Sequence, residues 1–288
     1  MSFFYNKLTI FMIAYHSDYS FERIIKKINP KIKIIIIENS NLSETKTYFE
    51  RKYKNVNVIL CRKNLGVTGA MNLAFKIIKT KFSIYLDMDI DFKRGTIEKF
   101  IMHANQIKNF SFLVPNLYNS TYPQNFYLDN LNSKEKRNNY VKMKLAHFHF
   151  VLFNMYAVKK IGLYDTKIFF YYDETDYCLR ALKKNFYIYL IKNIKVKHFE
   201  GKSYNKNIKN KFENLRQWHL MWSKFYFHRK HYGLISAFYQ TYKDLFSSFL
   251  KMIIFFLLSR NKFQIHQHRL SGLINSMLGK KSWKRVQI

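Results

Sequence analysis

The sequence predicts an α/β fold, a mostly parallel sheet with helices on both faces followed by a helical extension, and three observations carry that expectation. From Leu8 to Phe92, β-favouring apolar runs alternate with helical segments in β-α-β-α-β-α-β order, which requires right-handed crossovers between parallel strands. Two of those runs end abruptly in acids, at Glu38-Asn39-Ser40 and at Leu86-Asp87-Met88-Asp89-Ile90-Asp91, and the carboxyl edge is where open α/β sheets collect ligands. A hydrophobic content of 48% over 288 residues excludes disorder and allows a substantial core.

Each element has its own signal. Leu8 to Ala14 reads as a buried strand, and the helix after it runs to about Ile28, with Asp18 or Ser20 as candidate caps. Ile32 to Ile37 is a continuous β-branched run of the kind covered on both faces. A helix from about Leu42 to Tyr53, a strand from Val56 to Cys61 and a helix from Thr68 to Lys79 follow. Beyond the acidic strand end, a helix is expected over Thr96 to Ile107, then a strand at Phe112-Leu113-Val114-Pro115 stopped by its proline. Asn116 to Lys144 is polar and aperiodic and reads as a long loop. His147 to Tyr156 alternates like a strand, with a short helix near Ala157 to Ile161, and strands are expected at Tyr187–Ile191 and Ile194–Lys197.

The charge balance narrows the partners without choosing one. Fifty Lys and Arg against 18 Asp and Glu give +32, which suits nucleic acid, an anionic membrane surface or phosphorylated substrates. Codons for the abundant Lys, Asn, Ile, Phe and Tyr are AT-rich, so genomic drift is an alternative source for part of the basicity. Two cysteines, Cys61 and Cys178, give neither a disulfide framework nor zinc spacing, and point to a reducing compartment. The N-terminus shows no secretory pattern.

Three stretches carry chemistry. Asp87 and Asp89, separated by one residue, can lean on one divalent cation, and oxygen ligands suit Mg²⁺ or Mn²⁺. A strand ending in a solvated acidic turn would read the same way. Asn64-Leu65-Gly66-Val67-Thr68-Gly69 lets backbone approach an anion at a helix N-terminus, although it lacks the spacing and Lys-Ser/Thr pair of a P-loop. Tyr171-Tyr172-Asp173-Glu174-Thr175-Asp176 places acids at a helix start, where the macrodipole and capping favour them, and Asp176 could pair with Arg180 one turn on. The two tyrosines before the acids also suit a base held in a partly apolar cleft, where desolvation raises its pKa.

Taken in order, these pieces resemble the family 2 glycosyltransferases of GT-A fold, and in particular their bacterial rhamnosyltransferase-like branch. Leu113-Val114-Pro115, Gly162-Leu163-Tyr164-Asp165, Phe169 through Arg180, Val196-Lys197-His198 with Gly201 and Ser203, and Lys230-His231-Tyr232-Gly233 complete the match over residues 8 to about 233. The resemblance implies a Rossmann-like catalytic domain over residues 1–205, with a nucleotide-sugar half to about 115 and an acceptor half beyond, and a basic helical region over 206–288. It implies that Tyr15, Glu38, Asn64, Gly66, Asn72 and Asp87 bind the donor. It further implies that Asp89 is the direct metal ligand, with Asp87 nearer the ribose or sugar, and that His198 reaches the metal or diphosphate. The family's Glu-Asp pair stands reversed here as Asp173-Glu174, and Glu174, at the position of the base, is the expected base. Asp176 and Arg180 support the acceptor side.

The implied activity is inverting, metal-dependent transfer of a sugar, rhamnose first, from a nucleoside-diphosphate sugar to a saccharide or lipid-linked acceptor in cell-surface polysaccharide synthesis. Nucleic acid is not an expected partner, since no recognition module is present. The rival readings are a basic nucleic-acid-binding protein and a catalytically inactive transferase-like scaffold. In the tail, helices are expected over Asn207 to His231, around Leu245 to Leu258, and over His266 to Leu278. The apolar run Met252–Leu258 is too short to span a bilayer, so it suits an interfacial helix on an anionic leaflet, packing onto the catalytic domain, or a homodimer contact. The expected location is cytoplasmic, with the option of peripheral attachment to the inner face of the cytoplasmic membrane.

Overall fold

The computed structural model describes residues 5–17, 21–118, 126–128, 138–199 and 209–285. The candidate caps Asp18 and Ser20, most of the loop 116–146, and Gly201 and Ser203 lie outside the described residues. The chain groups into two compact units, residues 1–164 with 177–203, and residues 165–176 with 204–288.

The first unit is a mixed sheet. Its parallel half consists of β1 (Leu8–Ala14), β2 (Lys33–Glu38), β3 (Val56–Leu60) and β4 (Phe82–Leu86), in the order β3-β2-β1-β4. The crossovers are α1 (Glu22–Ile25), α2 (Ser43–Lys52) and α3 (Gly66–Ile77). Ile34, Ile36 and Ile37 are fully buried, as a β-branched run covered on both faces requires. Because β2 and β3 lie on one side of β1 and β4 on the other, the strand order reverses between β1 and β4, and ligands of open α/β sheets gather at such a reversal.

Past the reversal come the two-residue strand β5 (Ile90–Asp91), helix α4 (Thr96–Gln106) and β6 (Phe110–Tyr118). They are followed by β7 (Tyr140–Met143), β8 (Phe150–Asn154), α5 (Met155–Ile161), α6 (Asp173–Lys183) and β9 (Tyr187–His198). Antiparallel pairing of β4 with β8 extends the sheet, and β9 pairs with β5, β6 and β7.

Three expectations are corrected here. Pro115 does not stop its strand: β8 pairs with β6 only at Phe112 and Leu113, so the proline sits beyond that partner, and a register shift at Pro115/Asn116 absorbs it. The two strands expected between Tyr187 and Lys197 are one strand of 12 residues carrying that irregularity. The polar segment ending at Lys144 contains β7, whose Val141 and Met143 are buried while Tyr140 is exposed.

The second unit is helical. Helix α7 (Lys209–Leu258) breaks at Gly233, which sits at φ 87° where a side chain would be strained, so it forms two limbs. Helix α8 (Arg260–Met277) starts at Ser259, whose hydroxyl accepts from the Lys262 amide. It packs tightly on the first limb: a Cβ at Gly272 would stand 2.2 Å from the Trp218 carbonyl oxygen, so only glycine permits this approach. The tail folds back on the same limb, with Trp222 donating to the Lys280 carbonyl (3.0 Å) and His219 bonded to the Lys284 carbonyl (2.9 Å). Burial of His219 pushes its pKa down to about 4, which leaves the ring neutral at physiological pH.

Candidate active site

The carboxyl edge of the parallel strands is laced by side-chain amides. Glu38, at the end of β2, is fully buried; one carboxylate oxygen accepts from the Ser40 amide (2.9 Å) and hydroxyl, while Oε2 has no hydrogen-bond partner among the described residues. An orphaned buried carboxylate oxygen is costly unless a ligand serves it. Asn39 donates to Asn64 Oδ1 (3.0 Å) and accepts from the Leu65 amide (2.8 Å), and Asn64 Oδ1 also accepts from the Gly66 amide (2.9 Å). These bonds tie the end of β2 to the loop that opens α3, whose Gly66 takes φ 69°. Tyr15 is half-buried beside them at the end of β1, edge-on to His16 at 4.7 Å, and the His16 amide donates to Ser40 Oγ (2.8 Å). Asn72 is committed differently: buried on α3, its amide brackets the Tyr164 backbone, donating to the carbonyl (3.0 Å) and accepting from the N–H (2.8 Å).

At the end of β4 the structure gathers Asp87, His149 and His198, with one ligand atom from each lying within 4.8 Å of the others. Asp87 Oδ1 accepts from the Met88 amide (3.1 Å), and Oδ2 lies 3.3 Å from His149 Nδ1. The pairing of Leu86 with Phe150 brings His149 there, and the Asp87 amide donates to its carbonyl (2.8 Å). His198 arrives at the end of β9 through its pairing with Ile90, and stacks on His149 at 3.9 Å. Asp89 is buried with Oδ1 3.0 Å from His198 Nε2. Asp91 is apart from the cluster, its carboxylate taken by Lys27 and by Arg23 at 3.4 Å. Thus Asp87 and His198 are brought together, Asp89 stands against His198, and His149 joins them although the sequence singled it out by nothing beyond an alternating His147-x-His149.

The second acidic cluster opens α6. Tyr171 and Tyr172 both take left-handed backbone, φ 62° and 61°, which costs about 1–3 kcal/mol for each such residue. Tertiary contacts hold them there: Arg216 donates to the Tyr171 hydroxyl, and Tyr172 packs on Phe227 at 5.3 Å. Asp173 is buried, and desolvation followed by the neighbouring Glu174 charge pushes its pKa up to about 7. Glu174 is half-exposed. Asp176, 1% exposed, takes Lys230 (2.6 Å) and His231 (2.8 Å) from the first limb of α7. Lys230 also reaches Asp165 (2.8 Å); burial pushes the Asp165 carboxyl up, but Lys230, the Lys167 amide and Tyr226 outweigh it and hold the carboxyl below its usual range. Arg180 donates to the Ile161 carbonyl (3.3 Å) and lies over the Tyr177 ring at 4.7 Å.

Comparison with known proteins supplies the family. The model of "Glycosyl transferase family 2" matches residues 9–162, more than half of the chain. A low-salt glycan biosynthesis hexosyltransferase, Agl10 of Haloferax volcanii, is 21% identical over 194 residues, and the match spans 62% of this chain and 62% of that protein, under two thirds of its length. Among solved structures, the mannosyltransferase PcManGT from Pyrobaculum calidifontis in complex with GDP-Man and Mn²⁺ aligns with a TM-score of 0.59 at 11% identity, covering 96% of this chain and 88% of that one. S. aureus TarS 1–349 aligns at 0.54 and 10% identity, covering 95% and 92%. At such identities the structural likeness establishes the fold, which is GT-A with a C-terminal helical extension, and the family match establishes the rest: the chain belongs to glycosyl transferase family 2.

Proposed function

We propose that the protein is an inverting, metal-dependent glycosyltransferase that moves a sugar from a nucleoside-diphosphate sugar to a hydroxyl of a saccharide or lipid-linked acceptor, in cell-surface polysaccharide synthesis. The observation that carries this reading is the meeting of Asp87, His149 and His198 at the carboxyl edge where the strand order reverses. The names of similar proteins support it, since one is a hexosyltransferase and another was solved with GDP-Man and Mn²⁺. Rhamnose is the first donor sugar to try, on the resemblance of the motif order.

The residues fit a divalent cation. Asp87, His149 and His198 would hold it, and Asp89 would orient the His198 ring through Nε2, as carboxylates behind ligating histidines do. Two imidazoles with one carboxylate suit Mn²⁺ better than Mg²⁺, which prefers oxygen. When bound, such an ion offsets charge on a departing diphosphate. Glu38 offers its buried Oε2 to a donor group at the base or ribose, with Tyr15 and the Asn64–Gly66 loop completing the donor side. Glu174 takes the proton of the acceptor hydroxyl as that oxygen bonds to the anomeric carbon and the carbon–diphosphate bond breaks, which inverts configuration. Being half-exposed, Glu174 can touch an acceptor in a way the buried Asp173 cannot.

A thermal-shift screen of nucleotide sugars with Mn²⁺ tests the reading. A ligand at a hundred times its Kd adds about 2.7 kcal/mol to stability, so the true donor should raise Tm by several degrees with Mn²⁺ and far less with Mn²⁺ chelated. Stabilisation by oligonucleotides and by no nucleotide sugar would sink it.

A further inference from the structure

The second limb of α7 presents an apolar surface that nothing among the described residues covers. Ile235, Tyr239, Tyr242 and Phe246 recur at helical spacing and are exposed by 88%, 71%, 49% and 69%. At the limb's end Ile253, Ile254, Phe256, Leu257 and Leu258 are each more than half exposed, and the chain then turns at Ser259 into α8. Scattered exposed apolar residues need no explanation, but a contiguous face of this kind marks an interaction site.

We propose that this helical hairpin tip inserts into the headgroup region of an anionic lipid bilayer and docks the protein there. Two observations choose a bilayer over a second copy of the chain. At about 100° per residue, the five tip side chains spread over roughly 200° of the helix circumference, whereas a facing helix covers a stripe of roughly 100°. A medium that surrounds the tip satisfies that geometry; a single partner helix leaves half of it wet. The charge pattern agrees. Residues 234–288 hold nine Lys and Arg against one acid, Asp244, which is already held by Lys224 (2.7 Å) and Arg269 (2.8 Å). Lys251, Arg260 and Lys262 ring the tip and are exposed, so a second copy would set cations against cations, while anionic headgroups would meet them favourably. Among the described residues no helix is long and apolar enough to cross a membrane. Residues 253–258 measure about 9 Å along the axis, matching the roughly 5–10 Å depth of interfacial insertion.

Flotation of the full-length protein with phosphatidylcholine vesicles, with and without 30 mol% phosphatidylglycerol, at physiological salt tests the proposal. The protein should float with the anionic vesicles and far less with the neutral ones. F256D/L257D/L258D alters only exposed side chains, so it should keep the wild-type Tm and lose flotation. Lys251→Gln, Arg260→Gln and Lys262→Gln together should weaken binding on the order of a hundredfold, at roughly fivefold per cation removed. Absence of wild-type flotation, or flotation undiminished in the folded aspartate variant, would overturn the proposal. So would a dimer in light scattering that the aspartate variant dissolves while vesicles bind neither protein.

Discussion

Asp87→Asn should lower kcat/KM for sugar transfer by on the order of 10²–10³-fold, the loss typical of removing one preorganised electrostatic partner of a developing charge. Asn keeps the shape and can still accept from the Met88 amide, so the change removes one negative charge from the group formed with His149 and His198. The Asp87 side chain is 31% exposed, and among the described residues its ion pairing is the approach to His149, so the folded state should tolerate the substitution and Tm should move little. Titrating activity against Mn²⁺ separates the possible causes: the variant's half-saturating Mn²⁺ concentration should rise, and His149→Ala should raise it too. An Asp87→Asn enzyme with unaltered metal dependence would remove Asp87 from the metal-holding role. Loss of activity without a change in metal dependence would leave it a donor contact only.

Glu174→Gln should lower kcat by about 10²–10⁴-fold while donor binding, read by thermal shift, is spared, because a positioned base acts on the acceptor proton and not on the nucleotide. The neighbouring Asp173→Asn gives a different signature. Asp173 titrates at about 7 against an ordinary 3.8, so the folded protein keeps a proton there that the unfolded chain gives up. Stability therefore falls as pH rises from about 4 to about 7, and that fall should vanish in Asp173→Asn. Ionisation of Asp173 near pH 7 also sets a second negative charge beside the acceptor site, so the wild-type rate profile should bend near pH 7 and lose that bend in Asp173→Asn. If Asp173→Asn loses turnover as deeply as Glu174→Gln and shifts no pH limb, Asp173 is the base and the shorter side chain has kept the role.

The parallel half of the sheet was legible because its strands are continuous apolar runs whose character depends on local sequence; β1 has the bounds read from the residues, Leu8–Ala14. What escaped depends on pairing between distant segments. His149 carries no spacing signal, and it reaches Asp87 only because β8 runs antiparallel to β4 in the register Leu86 to Phe150. Strand β7 alternates over four residues inside a polar stretch, too short to stand out, and exists by its pairing with β9. Lys230 and His231 were visible as part of a motif, but their hold on Asp176 depends on packing between helices. The strain at Tyr171 and Tyr172 was equally hidden, since aromatic residues do not announce left-handed backbone.

As proposed above, this chain transfers a sugar from a nucleoside-diphosphate donor with a metal held by Asp87, His149 and His198. The most direct test is release of nucleoside diphosphate from a panel of sugar nucleotides, dTDP-rhamnose among them, by purified protein with Mn²⁺ and by the same protein after chelation. Release should occur from one donor class, require Mn²⁺, rise with acceptor, and fall at least a hundredfold in Asp87→Asn. Release that persists unchanged after chelation and in Asp87→Asn would contradict the proposal.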